Sequence, residues 1–189
     1  MHHVGVKPAF GKEHPPATPQ LRPFRISDLE DAYRLDQLCF PTGIAYSRSE
    51  LGAYIRMRGA KAWVAELADR GETSLAGFVI VCTDRGGQGH VITVDVAPAW
   101  RRRAVGTLLM DAAEDWLRQQ SGETVYLETA EHNTSAQAFY LKRGYAKLRR
   151  IEGYYADGST AWLMAKSLGA KESAEGSRQR AGGAEGNKH

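Results

Sequence analysis

The sequence predicts an α+β fold: a mixed, mostly antiparallel sheet flanked by helices. Two observations carry this. Short apolar runs of strand period interleave with stretches of helical period in the order β-α-α-β-β-β-α-β-α-β-β. Tight Gly- and Asp-containing turns join several of the strand runs directly, as antiparallel hairpins require.

From the N-terminus, Leu21 to Ile26 alternates as a strand, and Ser27-Asp28 is expected to cap a helix running through Ala32, Leu35 and Leu38 to Phe40-Pro41. A second helix starts at Ser47, with Ser47-x-x-Glu50 as a capping box. Ala60 to Leu67 and Leu75 to Cys82 form a strand pair across Asp69-Arg70-Gly71, and Gly86-Gly87-Gln88-Gly89 leads into a strand from His90 to Val96. Val105, Leu108, Leu109, Ala112, Ala113, Trp116 and Leu117 make one stripe at helical spacing. Then come a strand at Thr124 to Thr129, a helix at Thr134 to Lys142 and a left-handed C-cap at Gly144. Strands near Tyr145 to Ile151 and Thr160 to Lys166 close the domain around the turn Tyr155-Ala156-Asp157-Gly158.

At 189 residues the chain has room for one domain with a sizeable core. Residues 1–20 hold four prolines, two glycines and no apolar period, and read as a flexible arm; residues 169–189 read as a disordered tail. The folded unit is expected at 21–168. A net charge of +3 does not mark a nucleic-acid binder. No signal peptide or long apolar run is visible, which predicts a cytoplasmic protein with reduced thiols and no membrane span. Cys39 and Cys82 sit in apolar contexts and read as small hydrophobes. His2, His3, His14, His90, His132 and His189 are scattered without metal-ligand spacing, so no metal is expected.

The stretch Val94-Asp95-Val96-Ala97-Pro98-Ala99-Trp100-Arg101-Arg102-Arg103-Ala104-Val105-Gly106-Thr107 is the chemical centre of the sequence. A strand ends at a proline, three arginines follow, and a helix begins at once. The unpaired N–H groups and positive dipole of a helix start hold anions, and arginines fork onto phosphate oxygens. No lysine follows Gly106, which excludes a P-loop, and one glycine in the turn is too few for the dinucleotide fingerprint.

What the stretch resembles is the pyrophosphate motif of the GNAT superfamily of acyl-CoA N-acyltransferases, Arg/Gln-x-x-Gly-x-Gly/Ala after a strand. Here it reads Arg101-Arg102-Arg103-Ala104-Val105-Gly106, with Ala104 where the family usually has glycine. A second likeness runs from Leu127 to Tyr145, where Asn133, Ala136, Tyr140 and Gly144-Tyr145 fit the family's Asn-helix segment. A third, Gly153-Tyr154-Tyr155-Ala156-Asp157-Gly158 through Met164, with Leu38-Cys39-Phe40-Pro41, is similar to the N-terminal acetyltransferases, including the ribosomal-protein alanine acetyltransferase subgroup.

The resemblance implies the GNAT fold and acetyl-CoA as co-substrate. It places the cofactor on Val94, Asp95, Val96, Arg101, Arg102, Arg103, Ala104, Val105, Gly106, Thr107, Asn133 and Tyr140. It implies Glu128 as base and Tyr140 as acid, its hydroxyl aimed at the thioester sulfur. Phe40, Tyr46, Tyr154 and Tyr155 would then line the acceptor groove. Attack of an amine on a thioester needs a base, because an α-amine of pKa ~8 is partly protonated at neutral pH, and an acid for the departing thiolate. Asp95, a carboxylate inside an apolar run, is the rival base. Asn133 caps its helix, binds the pantetheine arm, or both. The function expected is acetyl transfer to a protein or peptide N-terminal amine by direct attack in a ternary complex, by a monomer or dimer. Transfer to a small amine or a lysine, and a non-catalytic acyl-CoA-binding module, are the alternatives.

Overall fold

The computed structural model describes residues 18–69, 72–84 and 86–169. The expected arm at 1–20 and tail at 169–189 therefore lie almost wholly outside the described residues, as does the tip of the Asp69-Arg70-Gly71 turn. The elements are β1 (Gln20–Pro23), α1 (Leu29–Cys39), α2 (Arg48–Arg56), β2 (Ala60–Asp69), β3 (Glu72–Thr83), β4 (Gly89–Val96), α3 (Val105–Gln119), β5 (Thr124–Ala130), α4 (Thr134–Lys142), β6 (Ala146–Ile151) and β7 (Ala161–Ser167). They form one seven-stranded sheet in the order β1-β2-β3-β4-β5-β7-β6. Every neighbouring pair is antiparallel except β4 and β5, which α3 joins as a crossover. The α+β class and the order of elements are those the sequence predicts.

Two cores, one on each face, bury the sheet. Leu29, Ala32, Leu35 and Leu51 of α1 and α2 pack on Val64, Phe78 and Ile80. On the opposite face Val105, Leu109, Met110, Ala113 and Leu117 of α3, with Tyr140 of α4, pack on Val79, Val81, Val91, Val125 and Leu127. The α3 stripe is rotated slightly from the expected one: Met110 and Glu114 are buried, and Leu108, Ala112 and Trp116 only half so.

The capping box of α2 is present, Glu50 N–H donating to Ser47 Oγ and Ser47 N–H to Glu50 Oε2. The expected cap of α1 is not. Ile26–Asp28 form a 3-10 turn instead, and the Asp28 carboxylate makes no cap bond to the helix. Arg22 takes it at 2.7 and 2.9 Å and reaches on to Glu66 of β2 at 2.6 Å, so Asp28 fastens β1 to the sheet. The same carboxylate also accepts the Arg25 N–H at 2.7 Å, so its oxygens are engaged before the first turn of α1.

Of three bulges in the sheet, one at Leu148 of β6 lies at its edge and two lie near its middle. Ala76 is the extra residue of β3 opposite β2, and Ile92 the extra residue of β4 opposite β3. Next to the first, Gly77 lies so close to β4 that a Cβ there would stand 2.5 Å from the Asp95 carbonyl oxygen. Gly77→Ala is therefore expected to lower stability by about 2 kcal/mol. A denaturant midpoint equal to that of the unsubstituted protein would show that β3 and β4 part without cost.

Candidate active site

β4 and β5 are the parallel neighbours of the sheet, and their register shows how briefly they meet. Only Gly89 with Val125 and His90 with Tyr126 are paired. Past these the bulge at Ile92 turns β4 away, since a bulge bends the strand that carries it. A gap opens between Val94–Val96 on one strand and Glu128–Ala130 on the other. Strand alternation turns the N–H and C=O groups of Val94 and Val96 into it, because the Ala97 N–H already points at Ala76 of β3. The Val96 carbonyl accepts from Arg101 Nε at 3.2 Å and from Cys39 Sγ at 3.4 Å.

The loop at the mouth of the gap is built for an anion. Arg102 (φ 59°) and Ala104 (φ 62°) are both left-handed, and α3 starts at Val105. The Leu108 N–H is the first of this turn to find a backbone acceptor, the Ala104 carbonyl at 2.9 Å. The N–H groups before it converge without partners among the described residues, and alternating right- and left-handed residues gather such groups into an anion-binding concavity. Arg101, Arg102 and Arg103 are exposed around it, Arg103 lying 5.3 Å from the Trp100 ring centroid. A Cβ on Gly106 would meet Phe139 at an ordinary 3.4 Å, so the strain in this loop lies at Arg102 and Ala104, the latter where the resemblance expects glycine.

The other residues expected at the site, Tyr140 and Asn133 apart, lie on the α1–α2 face of the sheet. Glu128 of β5 bonds His90 of β4, Oε2 to Nε2 at 2.8 Å, and His90 stacks on Tyr126 with ring centroids 4.5 Å apart. Burial disfavours charge on His90, but hydrogen bonds to Cys82 and Glu128 outweigh it and lift the imidazole to about 9. Tyr154 and Tyr155 meet edge to face at 4.9 Å and both feel the Glu128 carboxylate. Burial, with Glu128 second, raises the Tyr155 phenol to about 12. Tyr46 meets Tyr54 at 5.2 Å, and its hydroxyl donates to the carbonyl of the bulged Ile92 at 3.4 Å. Asp36, fully buried on α1, accepts the Tyr46 N–H at 2.8 Å; burial raises this carboxyl to about 6. Phe40 is half-buried at the start of the same loop. The loop meets the β6–β7 turn directly, the Ala156 N–H donating to the Gly43 carbonyl at 3.1 Å.

The two carboxylates singled out by sequence lie in different surroundings. Asp95 is 1% exposed; Thr93 Oγ1 donates to one of its oxygens at 2.5 Å and the other has no partner among the described residues. Burial, then the neighbouring Asp36, pushes the Asp95 carboxyl well above its usual value. Glu128 lines the gap. Tyr140 approaches from the α3 face, buried between Phe139 (5.3 Å) and Tyr145 (5.6 Å), its hydroxyl without a hydrogen-bond partner among the described residues. Burial, then Asp95, raises its phenol, so it holds its proton. Asn133 caps α4, accepting from the Ala136 N–H at 3.1 Å.

His90 and Tyr54 were not foreseen as site residues. No spacing rule links His90 to a carboxylate 38 residues away; the strand register does.

Two outcomes follow from this geometry. Ala104→Gly relieves a left-handed alanine, worth about 1–2 kcal/mol, against about 0.5–1 kcal/mol of added chain entropy. A thermal midpoint higher by a few degrees is expected, and a lower one would contradict the strain. For His90 the folded-state pKa lies above the unfolded one. Its stabilising contribution is then complete below about 6.5 and lost as pH rises through about 9. The stability difference between the unsubstituted protein and His90→Gln, measured by denaturant titration across that window, should shrink toward zero; a pH-independent difference would contradict the pairing.

Comparison with known proteins agrees with this geometry. The sequence profile of the acetyltransferase (GNAT) family matches residues 29–145, more than half of the chain. An N-alpha-acetyltransferase of Saccharolobus solfataricus is 27% identical over 160 residues, covering 78% of this chain and 92% of its own. The structure of Ard1 from Thermoplasma volcanium superposes with a TM-score of 0.70 at 26% identity, over 79% of this chain and 97% of the other. The Escherichia coli ribosomal-protein-S18-alanine N-acetyltransferase shares the fold, with a TM-score of 0.68 at 21% identity over 82% and 97% of the two chains.

Proposed function

The chain belongs to the acetyltransferase (GNAT) family, and we propose that it moves the acetyl group of acetyl-CoA to the N-terminal α-amine of a protein or peptide by direct attack in a ternary complex. The observation that carries the acceptor is the clasp between Gly43 and Ala156. Two loops joined backbone to backbone across the acceptor side bound a port, which a chain end enters end-on. An internal lysine would need an open trough for the chain on both sides of it. The names of the archaeal relatives support the same reading.

Acetyl-CoA supplies an activated thioester; the chain supplies the rest. The unpaired N–H groups from Arg103 to Thr107 and the three arginines suit its pyrophosphate. The backbone of Val94 and Val96 presents donors to the thioester carbonyl in the gap. Glu128, held by His90, first takes a proton from the ammonium, and the freed lone pair of the amine then bonds the carbonyl carbon. Tyr140 protonates the departing sulfur as the C–S bond breaks and regains a proton from the second one that the nitrogen sheds on becoming an amide. Phe40, Tyr46, Tyr154 and Tyr155 flank the acceptor's first residue, and Asn133 orders the start of α4 beside the pantetheine arm. Residues 21–168 form the working unit, acting as a monomer or dimer. The enzyme works in the cytoplasm, where the free Cys39 and Cys82 stay reduced.

A panel of N-terminal peptides with acetyl-CoA should yield coenzyme A and a singly acetylated terminus by mass spectrometry. Acetylation of small amines alone would transfer the reading to that acceptor class, and no turnover of any amine would leave a binding module. Glu128→Gln is expected to lower kcat/KM about 10²-fold at neutral pH. That loss should be partly recovered as pH passes the acceptor's own pKa of ~8, because the amine then deprotonates unaided. A deficit that stays constant with pH would remove Glu128 from the role of base.

A further inference from the structure

Glu114 is a buried charge that the chemistry above does not use. It sits on the apolar stripe of α3 at 2% exposure. Lys166 Nζ donates to its Oε2 at 2.6 Å, and the Arg143 guanidinium lies 3.1 Å from its Oε1. The Tyr145 hydroxyl donates to the same Oε1 at 3.3 Å. Arg118 approaches at 3.5 Å from one turn along the helix. Arg143 also bonds Asp111 at 2.7 Å. One carboxylate thus ties α3 to β7 and to the segment that ends α4.

That segment bears on Tyr140. The Tyr140 hydroxyl has no hydrogen-bond partner of its own among the described residues, so its position is set by what packs around the ring and by where α4 ends. Tyr145 packs on that ring at 5.6 Å, and both the Arg143 and Tyr145 N–H groups donate to the Tyr140 carbonyl at 3.0 Å. Glu114 grips the far ends of those same two residues. A tyrosine without a polar partner is otherwise free to shift with its helix, and a misplacement of about 1 Å costs up to ~10²-fold in rate.

We infer that Glu114 is a positioning residue, fixing the Tyr140 hydroxyl in the gap through Tyr145 and Arg143. The inference rests on Tyr140 acting as the acid. Glu114 touches neither acceptor nor thioester; it sets where the proton donor stands.

A double-substitution cycle on the full chain tests this. Tyr145→Phe removes one hydroxyl and keeps the ring. It is expected to lower kcat about tenfold while the KM values for acetyl-CoA and peptide and the thermal midpoint stay as they were. Glu114→Gln should lower kcat further, with some loss of thermal stability. In a Tyr140→Phe background neither change should lower kcat more than about twofold, because the group being positioned is gone. Full, additive losses in that background would make the network merely structural and overturn the inference, as would an unchanged kcat in Tyr145→Phe. If Tyr140→Phe alone kept full kcat, the acid role itself would fall; a loss there with Tyr145→Phe and Glu114→Gln unimpaired would overturn the inference alone.

Discussion

The parallel pairing of β4 and β5 stops after two residues, and the rest of the molecule is arranged around that stop. Parallel strands brought together by a crossover normally run on as neighbours, each filling the other's hydrogen bonds. Here the extra residue at Ile92 bends β4 away while β3 still holds its other edge. Strand edges left open inside a fold must find partners for their N–H and C=O groups. Arg101 and Cys39 take the Val96 carbonyl, and Tyr46 takes that of Ile92. The remaining donors have no partner among the described residues. The gap is thus a place where the sheet withholds its own bonding.

Because the gap passes between strands rather than over them, both faces of the sheet reach it. The α3–α4 face brings the helix start, the arginines and Tyr140; the α1–α2 face brings Glu128, His90 and the tyrosines. The charges are kept apart accordingly. Asp95 and Asp36, which burial would make costly as anions, sit behind the acceptor side with raised pKa values. Glu128 remains in the gap beside the one imidazole that can balance it. On the other face Glu114 pairs with Lys166 and, together with Asp111, with Arg143.

Much of this was legible in the residues. The Val94-to-Thr107 stretch announced a strand, a turn and a helix, and Ala104 stood out as the odd residue before its φ was known. Ser47 and Glu50 declared their helix, and Gly144, at φ +88°, its left-handed stop. What stayed hidden depends on register and on competition. Ser27-Asp28 looks like a cap until Arg22 is folded against it. His90 looks solitary until two parallel pairs set it beside Tyr126 and within reach of Glu128. Glu114 reads as a polar position on a helical stripe, because periodicity does not reveal cations arriving from α4 and β7. Local spacing encodes elements, whereas the site is assembled from contacts far apart in the chain.

The central claim is that the β4–β5 gap is where acetyl donor and terminal amine meet. It is tested most directly by a crystal structure of the chain with a conjugate of coenzyme A and an N-terminal peptide. The account predicts the pyrophosphate on the N–H groups of Arg103 to Thr107. It predicts the acetyl bridge between Val94–Val96 and Glu128, with the peptide leaving beneath the Gly43–Ala156 clasp. A conjugate bound elsewhere, or strands β4 and β5 paired past His90 and Tyr126 with the gap closed, would contradict it.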